Sequence, residues 1–474
     1  MTDISQQIAL LVNTMPHVAA PLLELLQSLS TACNATIRGP AAFAAAETSL
    51  CERLTTLSIA VEVQLLDAQQ PEAKVITYQE LHWGRLKPTK SAVLTPYGRG
   101  SLSRSRYRLV GVHNGPTIDP VEINAGLLGA MTPGAARLTG ALQAVTTSRE
   151  ASRLMQTMHI KLSRSAIERG SALVAEQLEA DSDVMEDALI QNFELPPEAV
   201  AVALSVDRVN LPYEVPLKRP AGRPRNGAPK RPCEVVCGQV YCGCWTLFDN
   251  QGEPLYTCRY GREPGDQGRV IIEDQLRADL LALLQKNADL KVVTLSDGAA
   301  EMLQMLDRVV EGIPVSTCLV DFWHAYEYVL KALVALGKDT EEEKTRIKRS
   351  MLTAHSGPRK ALMKIRSWAS ELEGEAPEDV SRAIKYLSNR LKEGKMGYAA
   401  AREAKLPVGS GHVEATCKTV VATRMKRAGS RWKRVSAQHV LTLRSLFVSS
   451  RYALSHAWLI ELHQEDHEPI RCAA

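Results

Sequence analysis

The chain has 474 residues, 45% hydrophobic and 23% charged, with a formal net charge of +4. That length is too great for one average domain and predicts two to four, and the composition is that of a soluble globular protein. No run reaches the roughly 18 uninterrupted apolar residues of a membrane span, and the opening MTDISQQIALLVNTM lacks the positive n-region of a secretory signal.

In chain order, residues 1–73 read as a helical region. PLLELLQSL and LCERLTTLSIAVEVQLL place leucines three and four apart, the pattern of a small unit for packing or self-association. Residues 74–196 change character. KVITYQELHWGRLKP and AVLTPYGRGSLSRSRYRLVGV are short strand-like runs, rich in Arg and Lys with Glu80 as the one acid. They suit a basic β-ribbon on phosphates or an ordinary exposed hairpin. TSREASRLMQTMHIKLSRSAIERGSALVAEQL then predicts two helices joined by a short turn, with capping boxes at Thr147/Glu150 and Ser165/Glu168. Helix-turn-helix DNA readers and plain helical hairpins share that pattern.

From Ala199 the pattern is that of an α/β domain, expected over 197–337. AVAVALSVDRVN predicts a buried strand ending at Asp207. EVVCGQVYCGCWTLFD and EPLYTCRYGRE predict two strands joined at NQG, a hairpin signal. The helix GRVIIEDQLRADLLALLQK follows, then the strand KVVTLSDGA ending at Asp297, a helix from Ala299, the strand PVSTCLVDFW and the helix HAYEYVLKALVAL. The order β, β, β, α, β, α, β, α is that of a ribonuclease H-like fold. Residues 338–396 predict an all-helical insertion with apolar positions at Leu362, Ile365, Trp368, Leu372, Val380, Ile384, Leu387 and Leu391. The domain is then completed by helices in 397–460, the first of them in LPVGSGHVEATCKTVVATRMK, and 461–474 form a tail.

The ten cysteines are scattered, which suggests a reducing cytoplasm. Cys233, Cys237, Cys242 and Cys244 lie within a strand pattern, in a spacing unlike the close pairs of zinc sites. They are expected to be structural. Charge is more informative. Residues 218–231 hold six basic residues and no acid, and 415–460 hold nine and none. Such local positive fields suit polyanions, most often nucleic acid. KRPAGRPRNGAPKRP looks like an imperfect minor-groove hook centred on Gly222, Arg223 and Pro224, or a plain disordered loop.

In an α/β sheet, chemistry gathers where adjacent strands end. Asp207 and Asp297 are expected there, although either alone could merely start a turn. Glu414 follows the Gly409-Ser410-Gly411 turn and opens a basic helix. It could pair with Lys418 four residues on, or be the third carboxylate of a two-metal site. Hard oxygen ligands with open coordination suit Mg²⁺ or Mn²⁺, and two such ions clamp the attacking and leaving oxygens of a phosphodiester displacement.

LSVDRV, TLSDGAAEM, CLVDFWHAYEYV and GYAAAREAKLPVGSGHVEATCKTVVATRMKRAGSRW resemble bacterial insertion-sequence transposases of the DDE class, most closely the ISKra-type family. The resemblance spans about Ala199 to Leu459, with weaker similarity in PYGRGSLSRSRYRL and the helices after it. It implies that Asp207, Asp297 and Glu414 form the catalytic and metal-binding triad. Asp297 lies 90 residues after Asp207 and Glu414 a further 117 on, and the helical insertion accounts for the long second gap, as in Mutator-like relatives. Asp321 and His324 match a D-x-x-H motif and are implied site neighbours. The chain departs from some relatives in lacking an N-terminal zinc-like cysteine pattern and in placing Arg208 after the first acid.

The expected fold is thus α/β: a ribonuclease H-like catalytic domain with a helical insertion and an N-terminal helical and β-ribbon DNA-binding region. The expected activity is cleavage of double-stranded DNA at element ends by two Mg²⁺ or Mn²⁺ ions, with joining of the 3′-hydroxyl to target DNA. The expected partners are element ends and target DNA, bound as a homo-oligomer, with no membrane and a nucleoid-associated, cytoplasmic location. Lys218, Arg219, Arg223, Arg225, Lys418, Arg424, Lys426, Arg427, Arg431 and Lys433 are the expected DNA contacts. Trp432 is expected to stack on an unpaired base or to pack in the core. The alternatives are a catalytically inactive, transposase-derived DNA-binding protein and a structure-specific nuclease of the same fold.

Overall fold

The structure, a computed structural model, describes residues 4–34, 39–217 and 233–472. The chain divides into two compact units, residues 1–181 with 452–474, and residues 182–451.

The first unit begins with helices α1 (Ile4–Thr14), α2 (Pro16–Asn34) and α3 (Pro40–Asp67). The expected ribbon is two separate pieces. Strands β1 (Val75–Tyr78), β2 (Leu81–Arg85), β5 (Tyr107–Leu109) and β6 (Thr117–Ile118) share one antiparallel sheet, while β3 (Thr89–Thr95) and β4 (Gly98–Arg104) form their own hairpin. Helices α4 (Pro120–Ala125), α5 (Pro133–Val145), α6 (Ser148–Thr157) and α7 (Arg164–Ala180) follow. The Thr147/Glu150 capping box forms as expected. The second does not. Ser163, two residues before the expected Ser165, caps α7 through the Ala166 N–H, and Glu168 instead takes a hydrogen bond from Ser148 at 2.7 Å.

The boundaries differ from those expected at both ends. Helix α8 (Ser182–Gln191) belongs to the second unit, and the C-terminal helix Tyr452–Asp466 to the first. Strand pairing explains the latter: Arg471 and Cys472 pair antiparallel with Thr77 and Ile76 of β1.

The second unit is mixed α/β. Strands β7 (Ala201–Pro216), β8 (Cys233–Phe248), β9 (Pro254–Arg262), β10 (Lys291–Ser296) and β11 (Thr317–Val320) form one sheet in the order β11-β10-β7-β8-β9. The first three strands are antiparallel; β10 and β11 run parallel to β7. Helices α9 (Asp266–Lys286), α10 (Ala300–Val309) and α11 (Phe322–Ala335) alternate with the later strands in the expected order. Parallel strands covered on both faces need apolar side chains on both, and β10 obliges, with every residue after Lys291 buried.

Alternation along β7 separates two cores. Val202, Leu204 and Val206 pack with Ile272, Leu276, Met302 and Leu306 on the face covered by α9 and α10. Ala201 and Ala203 point the other way, into a cluster with Phe322, Val329 and the insertion helices α12 (Glu341–Thr353), α13 (Gly357–Ser370) and α14 (Glu378–Lys392). Farther along that second face, Val209, Leu211 and Tyr213 pack with Cys417, Val420 and Leu441. Helix α15 (Tyr398–Glu403) leads out of the insertion. The returning segment holds α16 (Gly411–Thr416), a π-helical segment (Cys417–Ala422), α17 (Thr423–Met425) and α18 (Arg434–Val448).

Candidate active site

One correction concerns the first acid. β7 does not end at Asp207 but runs on to Pro216, because β8 pairs with it along its whole length. What stops near Asp207 is the parallel pairing, whose last rung joins Leu295 of β10 to Ser205. Two residues on, Asp207 and Asp297 stand side by side on neighbouring strand lines. The β10–β11 register, Ser296 to Val320, brings Asp321 to the same level. Three adjacent parallel strands thus carry an aspartate at one height. Asp207 lies on the β7 face between the cluster that includes Ala203 and the one that begins at Val209.

Each of the first two acids is held by one oxygen. The Arg208 N–H donates to Asp207 Oδ1 at 2.7 Å and the Ala299 N–H to Asp297 Oδ1 at 2.8 Å. Asp207 Oδ2 faces the Cys417 thiol at 3.6 Å. A hydrogen bond with Cys242 and burial raise the Cys417 pKa, which keeps this thiol protonated as a weak donor. Arg208 turns to the opposite face, where it forms an ion pair with Glu301, a carboxylate that also takes the Tyr241 hydroxyl at 2.7 Å. The arginine after the first acid is therefore neutralised away from the site.

The turn after Asp297 requires Gly298. Its φ is +88°, and a Cβ there would come 2.7 Å from the Tyr386 hydroxyl. Tyr386, on insertion helix α14, donates to the Asp297 carbonyl at 3.1 Å and stacks on Tyr328 with ring centres 4.1 Å apart. The insertion thus holds the loop that carries the second acid, a contact that the sequence reading lacked.

Asp321, 2% exposed, has both oxygens engaged. Oδ1 caps α11 by accepting the His324 N–H at 2.7 Å, and Oδ2 accepts the Ser410 N–H. It is a positioning residue for the turn that presents Glu414. Glu414 lies on the exposed side of α16, opposite buried Val413 and Thr416. Among the described residues no ion pair joins it to Lys418. The π-helical segment begins three residues later, and such widened turns occur often at functional sites.

The acids sense one another. The Asp207 carboxyl is pushed above its ordinary range by burial first and then by the Asp297 charge, against the pull of the Arg208 N–H. Glu414 is pushed up by partial burial, then by Asp321 and Asp207. The His324 charge draws both back down. Among the described residues, no group of three or more His, Cys, Asp or Glu side chains is gathered closely enough to hold a metal ion. The carboxylates share an electrostatic neighbourhood without forming a closed cage.

The expected DNA contacts divide into three groups. Lys218, Arg219, Arg223 and Arg225 lie outside the described residues. Lys418, Lys426, Arg431 and Lys433 are exposed, and Arg427 is half-buried. Arg424 is corrected: it is 3% exposed, with its guanidinium 5.4 Å from the centre of the Trp432 ring. Trp432 resolves toward packing. Its Nε1 donates to the Met425 carbonyl at 3.0 Å, its backbone pairs with Pro212 and Glu214, and its ring rests on the Val209–Leu441 cluster. Cys242 and Cys244 are buried in the sheet, while Cys233 and Cys237 are exposed on the far end of β8. No helix among the described residues is long and apolar enough to cross a membrane. Compared with known proteins, the chain matches no family model and no curated protein.

Proposed function

We propose that the chain is a DDE-class transposase whose 182–451 unit is a ribonuclease H-like catalytic domain. In this reading Asp207, Asp297 and Glu414 hold two Mg²⁺ or Mn²⁺ ions and act on the phosphodiesters of element ends. The observation that carries the proposal is the register that sets Asp207 beside Asp297 at the end of the parallel pairing, with Glu414 delivered to the same neighbourhood by a turn anchored on Asp321. The strand order β11-β10-β7-β8-β9 and the helical insertion before the third acid support it.

The donor set fits hard divalent cations. The candidate ligands are carboxylates, with Asp297 among the causes that raise the Asp207 pKa and Asp207 among those that raise that of Glu414, and among the described residues no Lys or Arg forms an ion pair with Asp207, Asp297 or Glu414. The match is one of donor chemistry. When bound, two such ions polarise the scissile phosphate and supply an attacking hydroxide near neutral pH. The residues' own contribution is orientation: backbone N–H groups fix Oδ1 of each aspartate, while Asp207 Oδ2 meets only the weak Cys417 thiol donor among the described residues. The exposed Lys418, Lys426, Arg431 and Lys433 supply phosphate contacts, and the protein binds ends and target as a homo-oligomer.

The test is a cleavage and strand-transfer assay on supercoiled DNA carrying the sequences that flank the gene. Mg²⁺-dependent nicks at those ends followed by joining of the 3′-hydroxyl are expected. Cutting without joining would favour a nuclease. Undiminished nicking by Asp297→Asn would sink the assignment.

A further inference from the structure

Trp323 breaks the pattern of its helix. It is the second residue of α11, between the capping Asp321 and His324, yet 53% of its surface is exposed. Other large aromatics nearby are buried: Phe322 and Tyr326 stack within the core, and Tyr398 meets Phe322 edge-on. An indole left open this close to a set of acids is costly surface that core packing does not explain.

The ring is also held in place. The Lys348 ammonium of α12 sits 4.3 Å from its centre, and Phe322 meets it edge-on at 5.3 Å. Gly409, in the turn before Glu414, comes close enough that a Cβ there would stand 3.4 Å from the indole Cδ1. Among the described residues Lys348 makes no ion pair, so its charge remains available. Farther along α11, on a different face, Tyr328 stacks on Tyr386, and the Lys331 ammonium lies 5.8 Å from the Tyr328 ring centre and 4.0 Å from the Glu327 carboxylate. An exposed aromatic face with an ammonium group over it, beside the acids, is what an unpaired nucleotide needs: a π-surface for its base and a cation for its phosphate.

We infer that Trp323 and Lys348 form a stacking platform for an unpaired nucleobase next to the scissile phosphate. The inference rests on the DNA-processing reading above. It assigns the single-strand contact to Trp323, whereas the sequence suggested Trp432, which is committed to the core.

The test uses the full chain in EDTA, so that no cleavage intervenes, and measures binding by fluorescence anisotropy to three probes. These are a twelve-nucleotide oligo-dT, an abasic strand of the same length and charge, and a duplex. Base stacking on an aromatic ring predicts that the wild-type protein binds oligo-dT about tenfold more tightly than the abasic strand. Trp323→Ala should bring that ratio close to one while leaving duplex affinity within about twofold, and Trp323→Phe should restore part of it. Lys348→Ala should weaken both single strands alike, because it removes a phosphate contact. Circular dichroism checks that the exposed substitution leaves the fold intact. A ratio unchanged in Trp323→Ala would overturn the platform, and so would a wild-type protein that binds the duplex without any preference for bases. A wild-type protein that binds none of the three probes would overturn the DNA-processing reading, and the platform with it.

Discussion

Two groups of acids in the same sheet domain meet opposite fates. Asp279 on α9 is fully buried, and its carboxylate accepts from Trp245 Nε1 at 2.6 Å, from Gln275 at 3.0 Å and from the Tyr260 hydroxyl. Arg451 donates to that same hydroxyl at 2.8 Å and pairs with buried Glu186 at 2.6 Å. One guanidinium thus serves two carboxylates, and burial with the Glu186 charge still holds Asp279 up at about 6. Among the described residues Asp207, Asp297 and Glu414 have no such counterion. The first group is neutralised from within and is architecture. The second keeps its charge unpaired by Lys or Arg among the described residues, and in our proposal an outside cation balances it.

The largest test of this contrast is chemical. Asp207→Asn and Asp297→Asn should each lower Mg²⁺-dependent strand cleavage at least about 1,000-fold, roughly 4 kcal/mol of transition-state stabilisation, while DNA binding in a gel shift persists. Next comes the neutralised group. Arg451→Met should destabilise the fold by about 3–5 kcal/mol in urea melts, because it leaves buried carboxylates without their cation. A loss under about 1 kcal/mol would mean that the acids there find other partners.

A smaller effect of opposite sign is expected at the site. A carboxyl whose folded pKa is raised favours the folded state when protonated. The ionised form therefore costs stability above that pKa, and the cost disappears as pH falls toward the ordinary value near 3.8. In EDTA at neutral pH, Asp207→Asn should raise the melting temperature, because it removes the charge that burial and Asp297 disfavour. The gain should shrink as pH falls through the raised pKa. A lower melting temperature at neutral pH would erase the contrast. The smallest effect on stability belongs to Glu414→Gln, under about 0.5 kcal/mol because the residue is exposed and makes no ion pair with Lys418. That variant should nonetheless be inactive in Mg²⁺, with partial recovery in Mn²⁺.

The order of strands and helices was legible because each buried strand carries an apolar run and each helix its own period. The two aspartates were legible because they follow such runs. The length of β7 was not: beyond Asp207 it pairs with β8 and, through Pro212 and Glu214, with the backbone of distant Trp432, and the residues that cover it, Cys417 and Leu441, lie more than 200 positions away. The Ser165 cap failed because Ser163 has the same chemistry two residues earlier. Spacing could not show that Arg424 is buried and Trp323 exposed, since both sit in stretches of mixed charge and aromatic character. The role of Asp321 needed the backbone N–H of Ser410, which no side-chain pattern advertises.

That Asp321 tie has a consequence for how the chain tolerates change in length. The Phe322 N–H bonds to the Val408 carbonyl at 2.9 Å and the Val320 N–H to the Lys395 carbonyl at 2.9 Å, so the chain leaves the sheet and returns to it at nearly the same point. The helical insertion is closed at its base. Closing a loop costs entropy that grows only with the logarithm of its length, about 0.6 kcal/mol for each doubling. Segments of the insertion away from Tyr386 could therefore lengthen or shorten at little expense while Glu414 returns to the same address. In such an arrangement the third acid's distance along the chain is free to drift, and its distance from the first two is not.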